Sequence, residues 1–184
     1  MGFSSPELTT AQQKQLTDRL NSFSDVFSQH SHDFGPTNLV THKIVTNCHR
    51  PVSQRAYRTS PSLKTEIPCQ VEELKAHDLI EVSKSPLASS VVMVKKKDGT
   101  YRFCVYFRKL SSVTIIDSHP LHGVDGRLGA LSGSQLSSTL DMSSGYWQVE
   151  MDPADKPKIT FSTSNGLYQF KVMHMGLKNS PPTF

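Results

Sequence analysis

The chain has 184 residues, 36% of them hydrophobic and 20% charged, with 20 Lys plus Arg against 16 Asp plus Glu. That is one domain's worth of chain with material for its own core, and the net charge of +4 permits a polyanionic partner without demanding one. Collagen, coiled-coil and acidic-tail classes are excluded, and no apolar run approaches the roughly 18 residues of a membrane span.

The first element in chain order is a helix over about Thr10 to Phe27. Leu16, Leu20, Phe23 and Phe27 recur there at spacings of four, three and four, with Thr9 or Thr10 as N-cap. Residues 28–38 carry Ser, His, Gly, Pro and Asn without periodicity and read as a loop. LVTHKIV, 39–45, alternates like a short strand, and the Pro- and Arg-bearing stretch 50–60 reads as an extended arm. A second helix starts at Ser60-Pro61, with Leu63, Ile67, Val71 and Leu74 on one face. Pro68 falls inside it and is expected to kink or split it, at a cost of about 3 kcal/mol.

Two hairpins follow. Residues 89–107 flank Asp98-Gly99, which predicts a two-residue loop, and residues 158–172 flank Asn165-Gly166. Between them a short helix over about 124–132 is expected, weakened by Gly123, Gly126 and Gly129, and then a strand at 138–142. Residues 176–184 could begin another helix.

Cysteine usage and the N-terminus bear on location. Cys48, Cys69 and Cys104 are odd in number, widely spaced and form no CxxC, which argues against a disulfide framework and a zinc ribbon. His30, His32, Cys48 and His49 match no zinc-finger spacing. MGFSSPEL has no apolar signal core, so an intracellular protein, cytoplasmic or nuclear, is expected.

Two groups of residues could carry chemistry. Asp141 stands at the exit of the 138–142 run, where it is either a turn cap or an oxygen ligand for Mg²⁺, an ion that takes one or two carboxylates plus substrate phosphates. Lys95, Lys96 and Lys97 stand at the mouth of the first hairpin with Arg102 across the turn. They are either a solvated tip or, with Arg as a fork and Lys as a point charge, a grip on a triphosphate.

The strings VVMVKKKDGTYRFCVYFRKL, HPL, LDMSSGYWQV and TFSTSNGLYQFKVMHMGLKNSPPTF, in that order, resemble the reverse transcriptase of gypsy-type LTR retrotransposons. THKI, RPVSQRAYRTSP and VEELKAHDLIEVSKSPLASSVV upstream are similar to the segment that leads into that domain, so the resemblance covers about residues 8–184. It implies an α+β, right-hand polymerase fold: residues 1–38 as an N-terminal helix and linker, and 39–184 as the fingers and first part of the palm. The implied function is that of a fragment of an RNA-directed DNA polymerase, often fused to ribonuclease H, with RNA template, DNA primer and dNTP as partners and no membrane.

Carried over by position, Asp141 resembles the first catalytic aspartate and ligand of two Mg²⁺ (or Mn²⁺) ions. Tyr146 resembles the gate against a ribose 2′-OH, and Ser144 and Gly145 would lie near the triphosphate. Lys96 and Arg102 resemble the phosphate-holding pair, Met175 lies in a nucleotide-contacting corner, and Lys95, Lys97, Arg108 and Lys109 would face nucleic acid. The departures are equally specific. The family's YxDD has no counterpart in these residues, which contain no Asp-Asp pair. The family's VDYR is here Val105-Tyr106-Phe107-Arg108, PLPRIDD is Pro120 to Gly126 with glycines, and MPFGL is Met173-His174-Met175-Gly176-Leu177. The chain alone is therefore expected to be inactive, and an unpaired palm edge is expected to favour self-association. The alternative is a non-catalytic, decayed or domesticated remnant with weak nucleic-acid binding or a host interaction role.

Overall fold

The computed structural model describes residues 8–29, 33, 35–48, 50–57, 60–119, 129, 131–134 and 137–184. The helix expected at 124–132 lies mostly outside them. The chain divides into two compact units between Phe34 and Gly35.

The first unit is built on α1, Thr10–Asn21. Thr9 is its N-cap: Thr9 Oγ1 accepts from Gln12 N–H, and Gln12 Oε1 accepts from Thr9 N–H at 2.9 Å, a reciprocal capping box. The helix stops well short of the expected Phe27. Ser22 caps its end and Ser22 Oγ donates to the Arg19 carbonyl at 2.7 Å, after which Ser24–Val26 forms a separate 3₁₀ turn. Asn, Ser and Asp at 21–25 compete for backbone groups and override the spacing of Phe23 and Phe27.

The second unit is a five-stranded sheet beside a two-stranded one. The strands are β1, Thr37–His42; β2, Ile80–Val82; β3, Ser89–Lys95; β4, Tyr101–Tyr106; β5, Val149–Met151; β6, Thr160–Thr163; and β7, Gly166–Phe170. The larger sheet runs β2-β7-β6-β3-β4, antiparallel except for β3 against β6, and β1 pairs with β5 in parallel. This is the α+β arrangement expected from the sequence, but β1 is displaced from the expected 39–45. At Ile44 the backbone is taken by side chains instead of a ladder, as Ile44 N–H donates to Asp155 Oδ2 and the Ile44 carbonyl accepts from Lys158 Nζ, and beyond it Thr46 bridges to Thr114.

The core is aromatic at its centre. Phe161 on β6 and Phe170 on β7 are fully buried, with ring centroids 5.1 Å apart, and Phe103 on β4 meets Phe161 edge-on at 5.5 Å. Helix α2, Pro61–Ala76, contributes Ile67, Val71 and Leu74, the face read from its spacing. It is one helix, not two. Burying three large aliphatics at about 1.5–3 kcal/mol each exceeds the roughly 3 kcal/mol that Pro68 costs.

Both hairpins form, with one revision. Asp98-Gly99 is not a two-residue loop. Lys96 N–H donates to the Thr100 carbonyl and Gly99 N–H to the Lys96 carbonyl, so the loop is Lys97-Asp98-Gly99 with Gly99 at φ +88°. The left-handed position is the third one, a place for glycine in a three-residue loop. Helix α3, Arg108–Val113, and helix α4, Ser180–Thr183, complete the unit. The strand expected at 138–142 is absent: these residues carry no ladder among the described ones, and Leu140 and Met142 are largely exposed. Apolar alternation cannot hold a strand without a neighbour to take its N–H and C=O groups.

Candidate functional site

The segment leaving Asp141 is shaped by one residue. Ser144 adopts φ +48°, ψ +41°, a left-handed conformation uncommon for a non-glycine residue and a mark of constrained sites. It reverses the chain into a 3₁₀ turn, Gly145–Gln148, with Trp147 N–H donating to the Ser144 carbonyl at 2.8 Å and Gln148 Nε2 to the Ser143 carbonyl at 3.0 Å. The turn runs directly into β5, whose Val149 carbonyl accepts from Met173 N–H at 2.8 Å.

A pocket of about 350 Å³ opens on this turn. Asp141, Met142, Ser144, Gly145, Tyr146, Trp147, Met175 and Phe184 line it. Five of the residues singled out from sequence, Asp141, Ser144, Gly145, Tyr146 and Met175, therefore share one cavity although Met175 lies far along the chain. Sequence reasoning missed Trp147 and Phe184. Trp147 is adjacent to Tyr146 and could have been suspected, whereas nothing in the spacing connects Phe184 to residue 145.

Met175 is presented by a corner fixed from beneath. The His174 ring is buried against Phe170 and Phe107 at 4.5 and 5.5 Å, and its Nδ1 donates to the Met175 carbonyl. Burial pushes the His174 pKa down to about 4, against the opposing pull of that hydrogen bond, so the ring is neutral near pH 7. Ser180 Oγ donates to the His174 carbonyl at 3.0 Å, tying the corner to α4.

Lys95, Lys96, Lys97 and Arg102 line a different groove, with Val94 and Asp98, of about 470 Å³. Val94 pairs with Arg102 across the β3–β4 ladder, so Lys96, two residues beyond Val94, shares a face with Arg102 as a diagonal neighbour. Lys96 stands just past the end of β3, in the turn. The Asp98 carboxyl is held below its ordinary range by accepting from Thr100 Oγ1 and Thr100 N–H, at 2.6 and 2.9 Å, which also fixes the loop. Arg108 and Lys109 are exposed and line neither cavity. The Arg108 guanidinium lies 5.6 Å from the centre of the Tyr106 ring, an aromatic face standing where the resembling family has an acid.

Asp141 is exposed, and no group of three or more His, Cys, Asp or Glu suited to a metal occurs among the described residues. The donor set here is one carboxylate at the mouth of a pocket. It fits an ion brought in on a substrate's phosphates, but not a two-ion scaffold.

Residues 94–184 match the family model "Reverse transcriptase (RNA-dependent DNA polymerase)". The chain belongs to the reverse transcriptase family. It is 33% identical over 177 residues to the retrovirus-related Pol polyprotein from transposon opus of Drosophila melanogaster, covering 94% of this chain and 18% of that protein. To the Pol polyprotein from transposon gypsy of the same fly it is 31% identical over 175 residues, covering 88% of this chain and 17% of the other. The chain thus spans a fifth or less of the length of these curated relatives. Among solved structures it is similar to the prototype foamy virus protease-reverse transcriptase. The native form has a TM-score of 0.83 at 21% identity, covering 95% of this chain and 24% of that one. The foamy viral enzyme in complex with RNA/DNA hybrid has a TM-score of 0.77 at 18% identity, with the same coverage. The reverse transcriptase fold expected from sequence is the one observed, for a partial stretch of a Pol-type polypeptide.

Proposed function

We propose that this chain is the fingers and leading palm segment of an RNA-directed DNA polymerase, and that the pocket around Asp141 receives the incoming deoxynucleotide. The observation that carries this is the convergence of Asp141, Ser144, Gly145, Tyr146 and Met175 on one cavity at a left-handed turn. Tyr146 would lie against the sugar and exclude a 2′-hydroxyl, with the backbone at Ser144 and Gly145 near the triphosphate. Lys96 and Arg102, sharing a face, would neutralise phosphate charge. Template and primer would run past Lys95, Lys97, Arg108 and Lys109 through phosphate contacts, a reading supported by the foamy viral relative's complex with RNA/DNA hybrid.

Mg²⁺ or Mn²⁺ fits this reading as an ion bound by Asp141 and the nucleotide together. Such an ion offsets phosphate charge when bound. Because the residues present do not complete a two-ion site, the 184-residue chain alone would bind substrates without extending a primer. An unpaired 138–142 segment bearing exposed Leu140 and Met142 favours self-association. We place this protein inside the cell, in cytoplasm or nucleus, consistent with three free thiols.

Trp147 is the sole tryptophan and lines the pocket, so its fluorescence reports on occupancy. Titration with dCTP and Mg²⁺ is expected to give a saturable change that Asp141→Asn weakens about tenfold or more, the loss of one charge-assisted ligand. A titration with no saturable change, or one identical in the variant, would remove the nucleotide from this pocket.

A further inference from the structure

Phe184 has no role in the reading above, yet it is the aromatic wall of the pocket. Its ring lies 5.2 Å from the Tyr146 ring, tilted by 58°. A Cβ built on Gly145 would meet Phe184 Cζ at 2.9 Å, closer than real contacts allow. The Phe184 ring thus occupies the space above residue 145 and abuts residue 146, two consecutive residues of the pocket floor.

The backbone behind Phe184 is held firmly although its ring is half exposed. Phe184 N–H donates to the Ser180 carbonyl at 3.1 Å. Thr183 Oγ1 donates to the Asn179 carbonyl and sits 2.9 Å from His42 Nδ1, which donates to it. Asn179 Nδ2 donates to the Ile115 carbonyl, and its Oδ1 accepts from Asp117 N–H. The ring is therefore presented by an anchored segment, against the half-buried Tyr146 ring.

We propose that Phe184 is a positioning residue for the pocket: by lying over Gly145 and against Tyr146, it holds the Tyr146 ring where it admits a deoxyribose and refuses a ribose. This rests on the reading of Tyr146 as the sugar-facing residue. The geometry also explains the glycine. Any side chain at 145 displaces the Phe184 ring and frees Tyr146, so residue 145 acts on sugar choice through residue 184.

The test is equilibrium dialysis of the 184-residue chain with Mg²⁺ and labelled dCTP or CTP, with circular dichroism melts confirming that each variant is folded. The wild type is expected to prefer dCTP by about tenfold. Phe184→Ala and Gly145→Ala should each bring the ratio to within about twofold, while Phe184→Tyr, which keeps the ring, should retain it. Gly145→Ala keeps the question open to measurement if Phe184→Ala does not fold. Retention of the wild-type ratio in Phe184→Ala or Gly145→Ala, with Tyr146→Ala losing it, overturns the role of Phe184 and leaves that of Tyr146 standing. No preference in the wild type, or one unchanged by Tyr146→Ala, overturns the sugar-facing reading and the proposal with it.

Discussion

The Asp155 carboxylate takes the backbone N–H of Ile44, and its ion-pair partner takes the carbonyl. Asp155 Oδ2 accepts from Ile44 N–H at 2.8 Å, and Lys158, paired with Asp155 Oδ1 at 2.7 Å, donates to the Ile44 carbonyl at 2.5 Å. Ile44 is buried, so both backbone groups would otherwise go without water. Asp155→Ala should destabilise the fold by about 2–3 kcal/mol, the cost of an orphaned buried donor plus the lost charge-assisted pair. Urea unfolding checks this; a change under about 0.5 kcal/mol would mean that another acceptor replaces the carboxylate.

Stability should fall in mild acid. His174 is held at about 4 by burial, and desolvation also lowers the pKa of His42 against the pull of Asp155. In both cases the unfolded chain, with an imidazole near 6.5, binds the proton first. Stability is thus full above about pH 6.5 and declines as the pH drops toward 4, by roughly 3 kcal/mol for His174 alone. Urea midpoints measured from pH 7.5 to 4.5 should show this slope, and His174→Leu should flatten it. An equally steep slope in that variant would assign the loss to other groups.

The fingers loop should depend on a single backbone conformation. Gly99 sits at φ +88° with open space around its Cβ direction, so Gly99→Ala meets backbone strain without a clash. The expected cost is about 1–2 kcal/mol, read by equilibrium unfolding. No change would show that the loop refolds around the new residue.

Nucleic-acid binding should be weak and salt-dominated. With a net charge of only +4, dissociation constants for RNA–DNA hybrid of about 10⁻⁶ to 10⁻⁴ M near physiological salt are expected. Replacing Lys96 and Arg102 by Ala should flatten the salt slope by roughly one to two units. Fluorescence anisotropy across a salt series checks it; an unchanged slope would take both residues out of the phosphate path.

Local patterns in the sequence carried the α2 face at Ile67, Val71 and Leu74, both hairpins and the Thr9 cap, because each depends on residues close in the chain. The expected strand at 138–142 failed for the opposite reason: a strand exists only with a ladder partner, and alternation cannot supply one. The early end of α1 followed from Asn and Ser competing for backbone groups, and the continuity of α2 from buried area outweighing Pro68. At the site, the resemblance pointed to Asp141, Tyr146 and Met175 separately, while their common cavity became visible only in three dimensions. Phe184 and the Asp155–Ile44 closure were invisible for the same reason, each joining residues far apart in sequence.

Whether this pocket takes a nucleotide is decided by photo-crosslinking with an azido-deoxynucleoside triphosphate and Mg²⁺, followed by peptide mapping. The label is expected on the peptides carrying Tyr146, Trp147 and Met175, to be competed by unmodified dNTP, and to fall sharply in Asp141→Asn. Labelling confined to other peptides, or labelling here that neither competes nor responds to Asp141→Asn, would contradict the assignment.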